Sequence, residues 1–539
     1  MLPAPDVAVT RIPFRDTGQF AARDVAYVEQ DARLRPFMEH APSVESFTAA
    51  IASRKAFGCD RDTLVEVLNE QYAGYGIKAK RRPAGIEQLR ADDAFTIVTA
   101  HQASLFLGPL YYVYKILSAV ALSRKLAEAY PGQTFVPVFV LGAEDHDLDE
   151  IDHLRVSGQT FRWDTDQTGA TGQMTLAGID AVRESVAEAL GDSTSAQHLT
   201  ELLARCYRED RTLGVATGHF VAELFGRYGV VVANLNDARL KRNFAEHIRR
   251  EVLGRASKPL IDSTVQALTA EGFSQQAHAR DINFFYLQPG RRDRIERQGE
   301  RYVVLDTELS FSEGEMRAEI DAHPERFSPN VVMRPLLQEV SLPNLAYVGG
   351  GGELAYWLER RSQFAAFGVP MPVLVRRDSA WWVTHEQRKA LRKLSLNPAD
   401  LLGDGHQLLR RVATEQAGHA VDFTKEREAL HDLLTGISAS AKRVDPTLEK
   451  HVLAKSALLD KELVALEKRL VRRLKKQEAD SVGRTEALRA ELLPGGGLQE
   501  RKDSFMNLYA RWGDAFFDAL LAAFDPLDGR LKVFVEQAA

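Results

Sequence analysis

The stretch from Thr96 to Ile151 constrains the fold most, because it reads as strand, turn, helix, strand and loop in immediate succession. Thr96-Ile97-Val98-Thr99-Ala100 is a β-branched run, and His101 to Pro109 turns the chain. Leu110 to Ala129 carries apolar residues at helical spacing (Leu110, Val113, Ile116, Leu117, Val120, Leu122, Leu126), and Phe135 to Leu141 is a second apolar strand. A strand, a crossover helix and a strand imply a parallel pair, so the class predicted is α/β with a doubly wound sheet. Ligands of such sheets bind beyond the carboxyl ends of the strands. His101-Gln102 and the run Glu144-Asp145-His146-Asp147-Leu148-Asp149-Glu150 both fall there, which predicts a site.

The full 539-residue chain sets bounds on that core. Its length predicts two to four units. A net charge of −6 argues against wholesale binding to nucleic acid or membrane. Two cysteines, Cys59 and Cys206, exclude a disulfide framework or a cysteine-based zinc site. The N-terminus lacks the pattern of a signal peptide, and no run approaches the ~20 apolar residues that span a bilayer. A soluble, cytoplasmic protein is expected. Residues 1–90 read as helical, with Ser43-Val44-Glu45-Ser46 in the form of a capping box. The core occupies 91–155, 226–254 and 330–395, interrupted by insertions at 156–225 and 255–329. In the second insertion, Asn283 to Leu287 is expected to pair with Tyr302 to Leu305. Residues 396–539 form a helical coiled-coil domain, because Leu459, Leu463, Leu466, Leu470 and Leu474 recur at three- and four-residue steps.

Four clusters carry the chemistry. At His101-Gln102, a strand meets a helix whose free N–H groups favour an anion, and Gly108 lets a ligand approach the backbone. The acidic run, continued through Asp152 and His153, crowds carboxylates that need an offsetting cation. Asp145 and Asp147 suit a substrate ammonium group; a metal held through His146 is the other reading, and no metal site is assigned. Gly349 to Gly352, before Glu353, removes four side chains where backbone meets something, and fits nucleotide approach with Glu353 on a ribose hydroxyl. The run matches neither G-x-G-x-x-G nor the P-loop pattern. Arg376, Arg377 and Ser379, after another strand, suit polyphosphate.

The segments Thr99-Ala100-His101-Gln102 through Tyr111, Ala143 through Ile151 and Leu342 through Trp357 resemble the bacillithiol biosynthesis cysteine-adding enzymes, the BshC family. Val444 to Lys450, Gly496 to Arg501 and Asp525 to Gly529 do so too, which extends the resemblance over nearly the whole chain. Where the family usually has Thr-Gly-Gln-Gln, this chain has Thr99-Ala100-His101-Gln102. The resemblance implies a Rossmann-like core with two connecting insertions, and a C-terminal coiled coil that mediates homodimerisation. It implies ligation of cysteine to the amine of glucosaminyl-malate, the last step of bacillithiol synthesis.

On this basis ATP, with Mg2+, is expected to activate cysteine as an acyl-adenylate. His101 and Gln102 would stabilise the α-phosphate, and His146 would serve as the base for the attacking amine. Glu144, Asp145, Asp147, Asn344 and Tyr347 are assigned to the substrates. Thr99, Gly108, Gly349, Gly350, Gly351, Gly352, Glu353, Arg376, Arg377 and Ser379 are assigned to the nucleotide. The alternative is a synthetase-like module that binds nucleotide or transfer RNA without ligase activity. Its basis is the basic segment Lys468 to Lys476, but interleaved Glu462, Glu467 and Glu478 make that segment a solvated coiled-coil face.

Overall fold

The computed structural model describes residues 5–416 and 421–537. The chain forms two compact units: Met1–Asp16, Phe20–Trp382 and Gln499–Phe534 make the first, and Thr17–Gln19, Val383–Leu498 and Val535–Ala539 the second.

At the centre of the first unit is a parallel sheet of β1 (Ala94–Gln102), β2 (Thr134–Gly142), β3 (Val231–Ala233), β4 (Asn344–Gly349) and β5 (Val373–Arg376). The spatial order is β3-β2-β1-β4-β5. Seven consecutive residues of β1 are buried, as a strand covered on both faces requires. β1 and β2 pair without a break from Ala94 opposite Thr134 to Gln102 opposite Gly142. β4 lies on the other side of β1, so strand order reverses between β1 and β4. That reversal is the topological switch point at which such sheets open a crevice.

Four helices of this unit bear on the crevice: α1 (Ala22–Val28), α2 (Tyr111–Ala129), α3 (Ala238–Asn243) and α4 (Gly351–Leu358). α2 is the predicted crossover between β1 and β2. Between them Leu105, Phe106 and Leu107 are fully buried, and Phe106, Leu107 and Gly108 take φ of 47°, 69° and 51°. This left-handed passage reverses the chain, and only Gly108 adopts it without steric cost.

Several local expectations change. Residues 7–13 form a strand rather than helix. Glu45, not Ser43, precedes the helix Ser46–Phe57, and it makes no side-chain cap. In the second insertion, Phe284–Gln288 pairs with Arg291–Gln298, which in turn pairs with Arg301–Val304. The intervening strand is so rich in charge that its sequence hides its β character: seven of its eight side chains are at least partly exposed. Among the described residues no helix is long and apolar enough to cross a membrane.

The second unit is helical and contains an antiparallel hairpin of α5 (Thr424–Val444) and α6 (Pro446–Gln477). Lys442 meets Glu449 near its turn, and Arg427 meets Asp460 farther along, at 2.6 Å.

Candidate active site

A cleft of about 1470 Å³ opens at the carboxyl ends of β1, β2 and β4. It is lined by His101 and Gln102 from β1, Glu144 to Asp147 after β2, Gly350 to Glu353 after β4, and Arg376 and Arg377 after β5. Three polar clusters far apart in sequence therefore share one cavity.

β1 delivers His101 between the rings of Tyr111 and Tyr112, with its Nε2 at 3.1 Å from the Tyr111 hydroxyl. Burial, helped by the nearby Lys115 ammonium, pushes this imidazole down to about 3. It is therefore neutral near pH 7. Gln102 Nε2 donates to Asp145 at 2.8 Å and to Glu150 at 3.1 Å, tying the end of β1 to the acidic loop.

The repulsion expected within that loop is offset from inside the chain. Buried Lys241 on α3 donates to Glu144 Oε1 at 2.6 Å and to the carbonyls of Glu325 and Phe327. Arg162 reaches Asp152 at 2.5 Å and Asp149 at 3.6 Å. Burial opposes ionisation of Asp145, but bonds from His146 and Gln102 and the Arg292 charge hold it well below the usual carboxylate range. Glu144 is thus a structural anchor, while Asp145 and exposed Asp147 face the cleft. Arg292 Nη1, always a donor, lies 2.6 Å from His146 Nδ1, so that nitrogen accepts and Nε2 is the one left to other partners.

Across the switch point, Glu353 is part-buried and fully engaged. Lys115 Nζ donates to its Oε1 at 2.7 Å and also to the Ala100 carbonyl. Tyr347 Oη donates to Oε1 at 2.5 Å, and Gly350 N donates to Oε2 at 2.9 Å. Although burial works against it, Lys115 and these donors hold the Glu353 carboxyl down at about 2. Lys115 thus fastens the end of β1 to the first turn of α4.

The glycines of the run differ in purpose. A Cβ on Gly351 would lie 2.5 Å from the Asp24 carboxyl, and one on Gly349 would lie 2.9 Å from the Tyr347 ring. One on Gly352 would meet nothing within 4 Å, so this position keeps the cleft open. Arg376 is paired with Asp24 at 2.8 Å and Arg377 with Glu500 at 2.7 Å. Both line the cleft with their charges already answered.

Six predicted residues lie outside the cleft lining. Thr99 donates to the Val348 carbonyl at 2.8 Å and stitches β1 to β4. Gly108 belongs to the left-handed passage, and Gly349 is buried under Tyr347. Asn344 opens β4 at its amino end, bonded to Glu339 at 2.7 Å, on the edge of the sheet opposite the cleft. Tyr347 is fully buried, with its hydroxyl on Glu353 and its ring beneath Arg334. Ser379 is sealed against Glu500 at 3.2 Å. Sequence reasoning missed Lys115, Lys241, Arg292, Arg334, Asp24 and Tyr111. Only Lys115 left a local signal, as a lone charge in the apolar run Tyr112-Val113-Tyr114-Lys115-Ile116-Leu117.

Sheet order, switch-point cleft and glycine turn together define a Rossmann-like protein with a polar cleft at its strand ends. The chain belongs to the BshC family of bacillithiol biosynthesis. Residues 7–378 match the model of its N-terminal Rossmann-like domain, and residues 380–536 that of its C-terminal coiled-coil domain. A relative from Christiangramia forsetii is 36% identical over 97% of this chain and 98% of its own length. One from Flavobacterium johnsoniae is 35% identical over the same shares, and both carry the name "Putative cysteine ligase BshC". Mycobacterium tuberculosis methionyl-tRNA synthetase bound by methionyl-adenylate is a solved structure with a weak likeness. It has a TM-score of 0.22 and 11% identity, covering 79% of this chain and 91% of that one, too slight to carry any inference.

Proposed function

We propose that this chain is an ATP-dependent cysteine ligase that joins cysteine to the amine of glucosaminyl-malate. The observation that carries the reading is the convergence of the β1, β2 and β4 ends on one cleft, in a chain whose relatives bear the cysteine-ligase name. A carboxylate is a poor electrophile, so the reaction needs a leaving group. The cysteine carboxylate attacks the α-phosphorus of ATP; a P–O bond forms, pyrophosphate departs, and a cysteinyl-adenylate remains. The acceptor amine then attacks the acyl carbon, forming the C–N bond and releasing AMP.

In this reading the phosphates lie beside Gly352, the position of the run with open space next to it, at the first turn of α4. Any Mg2+ would be held by the phosphates of the nucleotide and would offset their charge. His101, neutral and bonded to Tyr111, fixes that hydroxyl beside the reacting phosphate. Asp145, ionised and held by Gln102, receives the acceptor's ammonium group, and Asp147 at the exposed rim takes the proton that the amine must lose. His146 contributes its Nε2 proton as a donor. Most of the rate gain is positional.

Cysteine-dependent exchange of labelled pyrophosphate into ATP tests the first step. The wild-type chain should exchange, and His101→Ala should lower exchange by about 100-fold with the fold retained. Unchanged exchange in the variant removes His101 from the mechanism. Release of ADP and phosphate, instead of AMP and pyrophosphate, replaces the adenylate by an acyl-phosphate.

A further inference from the structure

The arginines of the cleft sort by what they already hold. Arg376 rests on Asp24 through Nε and Nη2 at 2.8 and 3.1 Å, and Arg377 on Glu500 at 2.7 and 3.2 Å. Arg33 is clamped by Asp31 at 2.7 Å. Arg292 is consumed by His146, Ser328 and the Pro329 carbonyl, with Asp145 at 3.8 Å.

Arg334 differs. Its Nη2 donates to the Tyr356 hydroxyl at 2.7 Å, and its Nη1 to Gln338 Oε1 at 3.3 Å. Its guanidinium lies over the Tyr347 ring, 5.7 Å from the centroid. Both acceptors are neutral, and among the described residues no carboxylate comes within 4.0 Å of it to form an ion pair. Glu353 has its charge answered by Lys115. Of the five donors of this part-buried guanidinium two are used within the chain, which leaves the others available to an anion in the cleft.

Its address is specific. Tyr356, which holds it, is one helical turn after Gly352 on the same face of α4, and Arg334, Tyr356 and Gly352 all line the cleft. Beside Gly352 no atom other than its chain neighbours and the backbone of its own helix stands within 4 Å of where a Cβ would be, which leaves open space on that side of the cleft.

We propose that Arg334, rather than Arg376 or Arg377, is the cation that meets the phosphate chain of the nucleotide, in a subsite completed by Tyr356 and the open side of Gly352. This rests on the nucleotide reading above and names the residue that gives it affinity.

Phenylglyoxal labelling of the intact wild-type chain, read residue by residue by mass spectrometry, tests the assignment, with calorimetry alongside. Arg334 should label in the free protein and be protected by pyrophosphate and by ATP, while Arg376 and Arg377 should be slow with or without them. Arg334→Gln should weaken pyrophosphate binding by about 10- to 100-fold, and Arg334→Lys should recover part of the loss. The labelling needs no variant and so decides the matter even if both substitutions fail to fold. If the wild-type chain binds ATP but Arg334 is not protected, or Arg334→Gln binds as the wild type does, the assignment is wrong and the nucleotide reading survives. Protection by malate but not by pyrophosphate would overturn it in favour of a carboxylate subsite. If the wild-type chain binds neither ATP nor pyrophosphate, the nucleotide reading falls and this assignment with it.

Discussion

His101 illustrates how much the surroundings of one side chain decide about its use. Enclosed by Tyr111 and Tyr112 and close to the Lys115 ammonium, its imidazole is pushed from 6.5 down to about 3. A group whose folded value is depressed below its unfolded one binds its proton more readily in the unfolded chain. Between pH 6.5 and 3 the unfolded state therefore holds one more proton, and acid removes stability through that window. For this group alone the loss between pH 7.5 and pH 5 is about 2 kcal/mol. Glu353, held at about 2 by Lys115 despite its burial, has its stabilisation in place above 4.5 and loses it only below that. The two are separable at pH 5. His101→Gln should therefore reduce the acid-induced fall in denaturation midpoint between pH 7.5 and pH 5, measured in urea. An equal fall in variant and wild type would mean that the imidazole is solvated and titrates normally.

At the scale of elements, the sheet was legible because its signals are local: β-branched runs, a helical period between them, and polar residues at each strand end. The counter-charges were not, because each comes from a distant segment that only the fold brings near. Lys241 is 97 residues from Glu144, Arg292 is 146 from His146, and Glu500 is 123 from Arg377. Without them the acidic loop looked short of a cation and the arginines looked available. The strand Arg291–Gln298 was hidden for a related reason, since its charged side chains gave no apolar alternation to read. The glycine turn was read as a close approach of nucleotide to backbone, and part of the close contact is internal. Gly351 is where the Asp24 carboxyl, fixed by two bonds to Arg376, comes against α4. Gly351→Ala should thus cost on the order of 1–3 kcal/mol, by displacing a buried and doubly bonded carboxylate. Gly352→Ala should leave thermal stability the same or slightly higher, because alanine suits a helix and meets no neighbour. The same methyl narrows the cleft and should weaken ATP binding. Thermal denaturation and calorimetry on the two variants separate these effects, and equal destabilisation by both would contradict the distinction.

For the whole molecule, the second unit poses a packing problem that one chain does not solve. α6 runs for 32 residues, roughly 48 Å at helical rise, without a single fully buried residue. Val452, Leu463 and Leu474 are half-buried, whereas Leu453, Leu459, Leu466 and Leu470 are 41–52% exposed, and Leu433 on α5 is 61% exposed. The leucine stripe read from the sequence therefore divides along α6 into half-buried and exposed positions. Two helices cannot enclose a core between them, and an apolar stripe this long left in water favours association. A second copy of the chain would supply the missing surface through the repeat that made the stripe legible. In solution the protein should therefore run at about twice its 60.1 kDa, and Leu459→Glu with Leu466→Glu should bring it down to the single-chain mass by light scattering. Because every residue lining the cleft belongs to the first unit, the single-chain form should keep cysteine-dependent pyrophosphate exchange within about twofold. A wild-type chain that is already single at micromolar concentration would refute the dimer. Exchange lost together with the dimer would instead mean that the cleft depends on assembly, a dependence that none of its lining residues suggests.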